Sequence, residues 1–378
     1  MKNLHNMQPG IYKFSVKKLH FEPTSACNAR CPQCPRTFNT SFNTNPFLKI
    51  EEWSATDLDT VLSNAFFKDI NNILINGNYG DIVMHTDPRS IIEVFVKRGY
   101  FVDINTNGSA QSLDFWKWLG QQPNIMVRFG IDGLHDTHSL YRRNTNFFRV
   151  IQNAQAYISE GGNARWVMTL FKHNAHQITD CEKLAKELGF SQFYSRESMR
   201  FSAKKLSISD KDFNHEYYLE PYNINNQIIT KEVERAGKNW YEEHSDKDLL
   251  TTIEHPVISY DDEVSCMSQH EDSVFLSYDK RIWPCCHTAI GFEQTYKQYM
   301  MHDTLVDIFQ ENLNKDFNFN NVLKHPIDEI INTFGIFKKI EESWNTKSVC
   351  TSCIKNCKFD SHQYRQYQTT ISKNISEK

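Results

Sequence analysis

The sequence lacks a surplus of basic charge. Across 378 residues, 42 Lys and Arg face 46 Asp and Glu, leaving a net charge of −4. A general nucleic-acid binder would carry a basic excess, so that class is disfavoured and only a local basic patch stays open. The chain also lacks an apolar run long enough to cross a bilayer. Met1–Phe14 contains no stretch resembling the apolar core of a secretory signal, so a cytoplasmic protein without a membrane partner is expected. Internal repeats and low-complexity tracts are missing too. What remains is an ordinary globular composition, 39% hydrophobic and 23% charged, long enough for two or three domains.

Cysteine is what the chain does have. Of ten cysteines, nine fall into three groups. A chain of this length needs no disulfide staples, and cytosolic thiols stay reduced, so grouped cysteines point to metal. The tenth, Cys181, sits alone in a predicted helix and reads as a core thiol. As a hydrogen-atom donor it would be badly placed, because that helix should lie outside the sheet.

The densest group is Ser25-Ala26-Cys27-Asn28-Ala29-Arg30-Cys31-Pro32-Gln33-Cys34-Pro35-Arg36. Four thiolates satisfy a 4Fe–4S cluster, one per iron; three leave one iron open to a ligand. Structural zinc is the rival reading of close cysteines. The Cys-x3-Cys-x2-Cys spacing after a first strand resembles the signature of the radical S-adenosylmethionine (SAM) superfamily. The resemblance implies that Cys27, Cys31 and Cys34 hold a 4Fe–4S cluster whose open iron is chelated by the methionine end of SAM. Reductive cleavage of SAM would then give a 5′-deoxyadenosyl radical, which abstracts a substrate hydrogen atom.

Along the chain, residues 1–16 read as a lead-in and Lys18–Glu22 as the first strand. A helix with Ser54 as its N-cap is expected within 51–67. Strands are predicted at 72–75, 101–104, 125–131, 165–170 and 190–194. Helices are predicted at 88–98, 109–119, 147–159 and 175–188. Six strands alternating with helices imply a parallel sheet, either a barrel or a doubly wound sheet. The resemblance selects a partial (β/α)6 TIM-like barrel over residues 17–202. Residues 203–257 have little strand pattern and read as a helical or irregular connector. A smaller α+β domain is expected at 258–365 and a mobile tail at 366–378.

In the barrel, the resemblance implies a SAM pocket at the carboxyl ends of the strands. Gly77-Asn78-Tyr79-Gly80-Asp81 is similar to the family's glycine-rich loop, with Asp81 where Glu is common. Its glycines allow close backbone approach, and Asp81 is expected to accept from the SAM ammonium. Thr106 and Asn107 follow strand three. Asp132 follows strand four, where Gly130 replaces a usual Ser; it either faces the pocket or caps its loop. Asn174 follows strand five. His135, Thr137, His138, Tyr141 and Arg142, and then Arg196 and Glu197, are candidates for the substrate mouth.

Cys266, Cys285, Cys286, Cys350, Cys353 and Cys357 make up the later groups. A β-hairpin turning near Asp279-Lys280 would return Cys285 toward Cys266. This arrangement resembles the family's auxiliary-cluster domain, in its SPASM or shorter twitch form. Six cysteines are too few for two complete four-thiolate clusters, so one auxiliary 4Fe–4S cluster is expected, on Cys266, Cys285, Cys350 and Cys353. Cys286 could replace Cys285, and Cys357 could displace Cys350 or Cys353. Zinc suits four thiolates equally.

The resemblance therefore implies a radical SAM oxidoreductase with one auxiliary cluster, completing a dehydrogenation or a crosslink. Its substrate would be a small molecule or a peptide, and its electron donor a protein such as flavodoxin or ferredoxin. With the first strand expected at Lys18, no peptide-recognition domain is evident ahead of it, which tilts the expectation slightly toward a small molecule or a peptide bound without a dedicated module. Two alternatives stand: a redox-neutral epimerase or rearrangement enzyme, and a metal-stabilised binding protein without turnover.

Overall fold

A computed structural model of the chain describes residues 16–198, 200–201, 203–222, 264, 266–296, 305–344 and 350–357. The expected lead-in, most of the connector, the start of the second domain and the tail lie outside the described residues.

The strands of the first half are β1 (Lys18–Phe21), β2 (Asn72–Ile75), β3 (Phe101–Thr106), β4 (Ile125–Gly130), β5 (Asn163–Leu170) and β6 (Gln192–Glu197). They pair in parallel, each with the next in sequence. Such an order, without a reversal, is that of a (β/α) barrel; a doubly wound sheet reverses its strand order at a switch point. Topology thus settles what periodicity left open: the protein has an α/β fold with a partial barrel. The strands read as near-continuous apolar runs because parallel sheets are covered on both faces. Between them lie the helices α1 (Ala55–Leu62), α2 (Pro88–Lys97), α3 (Leu113–Gly120), α4 (His138–Tyr141), α5 (Phe147–Ser159) and α6 (Ile178–Glu187). Ser54 caps α1 as expected, its side chain accepting from the amide of Asp57. The third helix starts later than its periodicity suggested. Ser112 caps it and Gln111 takes a left-handed turn, so residues 109–112 belong to the loop.

Trp53, Trp116, Trp166, Phe21, Phe95 and Phe129 are fully buried beneath these layers. Each such side chain contributes about 1.5–3 kcal/mol through burial. Cys181 is fully buried in α6, within this core, as its lone position in a helix suggested.

The connector departs from expectation. Residues Leu206–Ser209 (β7) and His215–Leu219 (β8) form an antiparallel hairpin. Its alternation is only four residues long in a polar stretch, too short to stand out in sequence. What stabilises it is tertiary. Ile208 and Leu219 are fully buried in a second apolar cluster with Ala29, Cys31, Tyr141, Phe171 and Phe201. The hairpin therefore packs against the first cysteine loop. Arg143 joins the two: its guanidinium pairs with Glu216 and donates to the Ser209 carbonyl at 2.9 Å, while its own carbonyl accepts from the Arg30 amide at 2.8 Å.

The expected later hairpin is present as β9 (Ser273–Leu276) and β10 (Ile282–Trp283), with Lys280 in a left-handed turn. It does not stand apart from the barrel. Strand β9 pairs in parallel with β1, extending the sheet to eight strands. Helices Cys286–Tyr296, Leu305–Lys315 and Ile336–Ser343 follow. Trp283, Phe292, Phe309 and Phe319 are buried there with contacts between their rings. Among the described residues, no helix is long and apolar enough to cross a membrane.

Candidate active site

The chain from β1 into the first cysteine loop is fixed by its backbone and by a few charged side chains. Glu22 ends the strand fully buried, and its Oε1 accepts from the amides of Tyr79 at 2.7 Å and Gly80 at 3.2 Å. The glycine-rich loop is thereby tied to the end of β1. Gly80 is required there: a Cβ would sit 1.7 Å from the Thr24 carbonyl oxygen. Inside the cysteine loop, the Cys34 amide donates to the Cys31 carbonyl at 3.0 Å and the Thr37 hydroxyl to the same carbonyl at 2.8 Å. Arg30 donates to the Cys27 and Ala29 carbonyls at 3.1 Å, and buried Arg36 donates to the Ser25 carbonyl.

A cavity of about 390 Å³ opens at the carboxyl ends of the strands, where ligands gather in such sheets. Cys27, Cys31 and Cys34 line it, as do Gly77, Gly80, Asp81, Thr106 and Asn107. Five of the seven expected pocket residues are thus brought together with all three loop cysteines.

Their bonding refines the expectation. Both Asp81 oxygens are engaged within the protein: Oδ1 accepts from Thr106 Oγ1 at 2.7 Å and the Val83 amide at 3.2 Å, and Oδ2 from the Asn107 amide at 2.7 Å. The carboxylate thus pins the end of β3 to the glycine-rich loop. Asn107 donates through Nδ2 to Cys27 Sγ at 3.6 Å and Asn28 Oδ1 at 3.0 Å. It orients a loop thiol as well as lining the cavity.

Asp132 and Asn174 do not line the cavity. Asp132 is fully buried behind it, its Oδ1 accepting from the Thr169 amide at 2.6 Å and its Oδ2 from Arg142 Nε at 2.6 Å. Asn174 is also fully buried and closes the turn after β5. It donates to the Thr169 and Asp132 carbonyls and accepts from the Phe171 amide. Through these bonds Asp132 and Asn174 hold Arg142 and Thr169, and those two do line the cavity.

Arg142 also accounts for Gly130. A Cβ on Gly130 would lie 2.6–3.2 Å from the guanidinium, so the small residue and the large cation occupy one place together. Arg128, Arg196 and Arg200 line the same cavity. Sequence reading passed over Arg128 and Arg200. Arg128 had a signal: a charged residue inside the otherwise apolar strand Ile125–Gly130 must face either solvent or a polar interior.

The loop thiols are hard to ionise by themselves. Burial, then Asp81 and the other two cysteines, pushes the Cys27 thiol well up. Burial pushes Cys31 to about 11, with the Arg142 cation working in the opposite direction. A bound metal cation reverses that balance and deprotonates a ligating thiol outright. Among the described residues, no three His, Cys, Asp or Glu side chains close on one point as they would around a single ion. The three soft donors fit iron bound as a cluster, where each thiolate takes its own iron.

The later cysteines also gather. Cys266 lies against Cys357, and Cys353 against Cys350, while Cys285 neighbours Cys353 and Cys357. Burial and these neighbours raise the Cys285 thiol to about 12. Each of these five thiols therefore neighbours at least one other, and Cys357, which the expected ligand set left out, is among them. Cys286 begins the helix Cys286–Tyr296, and its carbonyl accepts from Asn78 Nδ2 at 3.0 Å, linking this region to the glycine-rich loop.

No protein-family model matches the sequence, and no curated protein matches it. Solved structures do. Histidine-tagged anSMEcpe with bound AdoMet superposes with a TM-score of 0.50 at 13% identity, over 90% of this chain and 88% of that one. Native anSMEcpe with bound AdoMet and Cp18Cys peptide gives 0.48 at 13%, over 93% and 95%. SuiB from Streptococcus suis gives 0.47 at 15% identity, over 73% of this chain and 61% of SuiB, so the chain spans less than two thirds of that protein's length. The fold built above from strand order and loop geometry is therefore one this chain shares with anSMEcpe.

Proposed function

We propose that the protein is a radical SAM enzyme that oxidises its substrate with the help of one auxiliary cluster. The observation that carries this reading is the three-cysteine loop opening into a cavity whose other wall holds a guanidinium anchored in place. When bound, the cluster and SAM would supply the electron and the 5′-deoxyadenosyl radical that removes a substrate hydrogen atom. Cys27, Cys31 and Cys34 hold the cluster, and Asn107 orients Cys27. Arg142, braced by Asp132, presents a fixed cation for the SAM carboxylate, in a bond stronger than a neutral one. Gly77 and Gly80 let the glycine-rich loop pack against Glu22 and the Thr24 carbonyl, and Asp81 and Thr106 keep that loop fixed to β3. Asp132 and Asn174 act by positioning the groups in front of them.

The second cysteine region is read as a twitch-like site for one 4Fe–4S cluster, held by four of Cys266, Cys285, Cys350, Cys353 and Cys357. The contact between Cys266 and Cys357 favours including Cys357, in place of Cys350 or Cys353. Among the described residues, the thiols that line the cavity are those of the first loop. Cys181 is sealed in the core, which favours oxidation over an epimerisation fed by a thiol hydrogen donor. Flavodoxin or ferredoxin is the expected electron donor.

The test is anaerobic reconstitution with iron and sulfide, followed by dithionite and SAM. Formation of 5′-deoxyadenosine supports the reading. A protein that takes up only zinc and leaves SAM intact refutes it, in favour of a metal-stabilised binding protein.

A further inference from the structure

The cavity holds more cationic groups than SAM requires. Four arginines line it, and two of them have carboxylate partners: Arg142 pairs with Asp132 and Arg128 with Asp103. Deeper in the barrel Arg165 stands beside Arg128 and the same Asp103, so two guanidiniums share one carboxylate. Arg196, at the end of β6 opposite Thr169, makes no side-chain hydrogen bond or ion pair among the described residues. Arg200 makes one long bond through its guanidinium, at 3.4 Å to the Gln33 carbonyl. Its backbone is held more firmly: its carbonyl accepts from Gln33 Nε2 at 2.7 Å, one residue from Cys34. Arg142 and Arg200 line the cavity with Arg196, whose own side chain and that of Arg200 are exposed, and the charges of Arg142, Asp132 and Arg200 all act on Arg196.

The acidic residues lining the cavity do not answer this charge. Asp81 is fully engaged with Thr106, Asn107 and Val83. Glu197 makes no hydrogen bond or ion pair with an arginine among the described residues. SAM brings one carboxylate, for which Arg142 suffices. Two guanidiniums beside a partly enclosed space, with no anion assigned to them, are a site for planar or tetrahedral oxyanions.

We propose that the substrate of this cavity is an oxyanion, a molecule bearing a carboxylate or a phosphate, held by Arg196 and Arg200 beside the three-cysteine loop. The proposal rests on reading the cavity as the SAM site. It narrows the substrate class: a neutral sugar or an uncharged peptide segment would leave both cations unanswered.

The test is calorimetric titration of the reconstituted full-length protein under argon, with and without saturating SAM, at low ionic strength. The probes are inorganic phosphate, glutarate and neutral glutaramide. Phosphate or glutarate should bind at least about tenfold more tightly than glutaramide. Arg196→Gln and Arg200→Gln should each weaken anion binding by about tenfold, the size of one lost charge-assisted bond. Arg196→Lys should lose less, and all three variants should keep the wild-type circular dichroism and SAM affinity. A preference for phosphate assigns a phosphate-bearing substrate, and a preference for glutarate assigns a carboxylate. The proposal is overturned if anions bind no better than glutaramide, or if the folded Gln variants bind them as wild type does. Measuring 5′-deoxyadenosine in the same preparations separates two failures. SAM cleavage without anion binding sinks this inference alone, whereas anion binding without SAM cleavage sinks the proposed function and leaves the arginine site standing.

Discussion

The protein gathers cysteines in two regions by opposite means. In the first, Cys27, Cys31 and Cys34 come from eight consecutive residues, and local bonds shape the loop: Arg30 and Thr37 bind its own carbonyls. In the second, Cys266, Cys285 and the group Cys350, Cys353 and Cys357 come from three separate stretches of the chain. The turn of β9–β10 and the packing of the helix at Thr351–Cys357 on that at Cys286–Tyr296 bring them together. A local loop can leave one coordination position open and aim it at a cavity. Ligands collected from distant elements surround a metal more readily, as the proposed auxiliary cluster would require. The glycine-rich loop lies between the two, bonded to Glu22 on one side and to Cys286 on the other.

The largest expected effect separates the two regions outright. The triple variant Cys27→Ala, Cys31→Ala, Cys34→Ala should form no 5′-deoxyadenosine and should lose about four irons, keeping about four in the second region. Iron and sulfide analysis reads this directly. If all iron disappears, the two sites are not independent and the comparison fails.

Gly80→Ala should come next. The added methyl has backbone 1.7 Å away, so the glycine-rich loop must leave the end of β1. We expect a large fall in melting temperature and loss of iron from the first site before the second. As a control, Gly99→Ala meets open space and suffers only from its positive φ, a cost of about 1–2 kcal/mol.

Asp132→Ala should cost about 3–5 kcal/mol in denaturant unfolding, because it leaves the Arg142 guanidinium without its carboxylate and the Thr169 amide without an acceptor. SAM affinity should fall with it, while iron in the second region stays unchanged.

The smallest effect is a trend with pH at the seam between the regions. Burial raises the Glu22 carboxyl to about 8 from an ordinary 4.5, with Glu293 of the second region also pushing it up. The folded state thus holds the proton more tightly than the unfolded chain. Glu22 contributes most to stability below about pH 4.5, and that contribution fades as pH rises toward about 8. Glu22→Gln keeps an oxygen for the Tyr79 and Gly80 amides but cannot ionise. Its melting temperature relative to wild type should therefore rise between about pH 5 and pH 8. A flat difference across that range would show that Glu22 is not a proton-holding group at the seam.

Much of this was legible in the sequence because the signals were local. Three thiols at fixed spacing, a cap at Ser54, and apolar strands alternating with amphipathic helices each depend on residues close along the chain. The Gly77–Asp81 loop was legible for the same reason, since its glycines and carboxylate are neighbours. Hidden from view were features whose cause lies far away in sequence. The β7–β8 hairpin is too short to show a pattern, and it forms against the first cysteine loop. Asp132, following a strand, was open to facing the pocket or capping its loop, and Arg142 and the Thr169 amide claim both of its oxygens.

By itself, the sequence determined the alternating architecture and the close spacing of three thiols in the first loop, since periodicity and spacing are properties of neighbouring residues. Tertiary structure alone decided the order of the strands, the joining of β9 to β1, the meeting of Cys357 with Cys266, and the gathering of arginines from β4, β6 and the segments that follow them. Those outcomes depend on which surfaces bury one another when the chain closes, and no stretch of neighbouring residues carries that information.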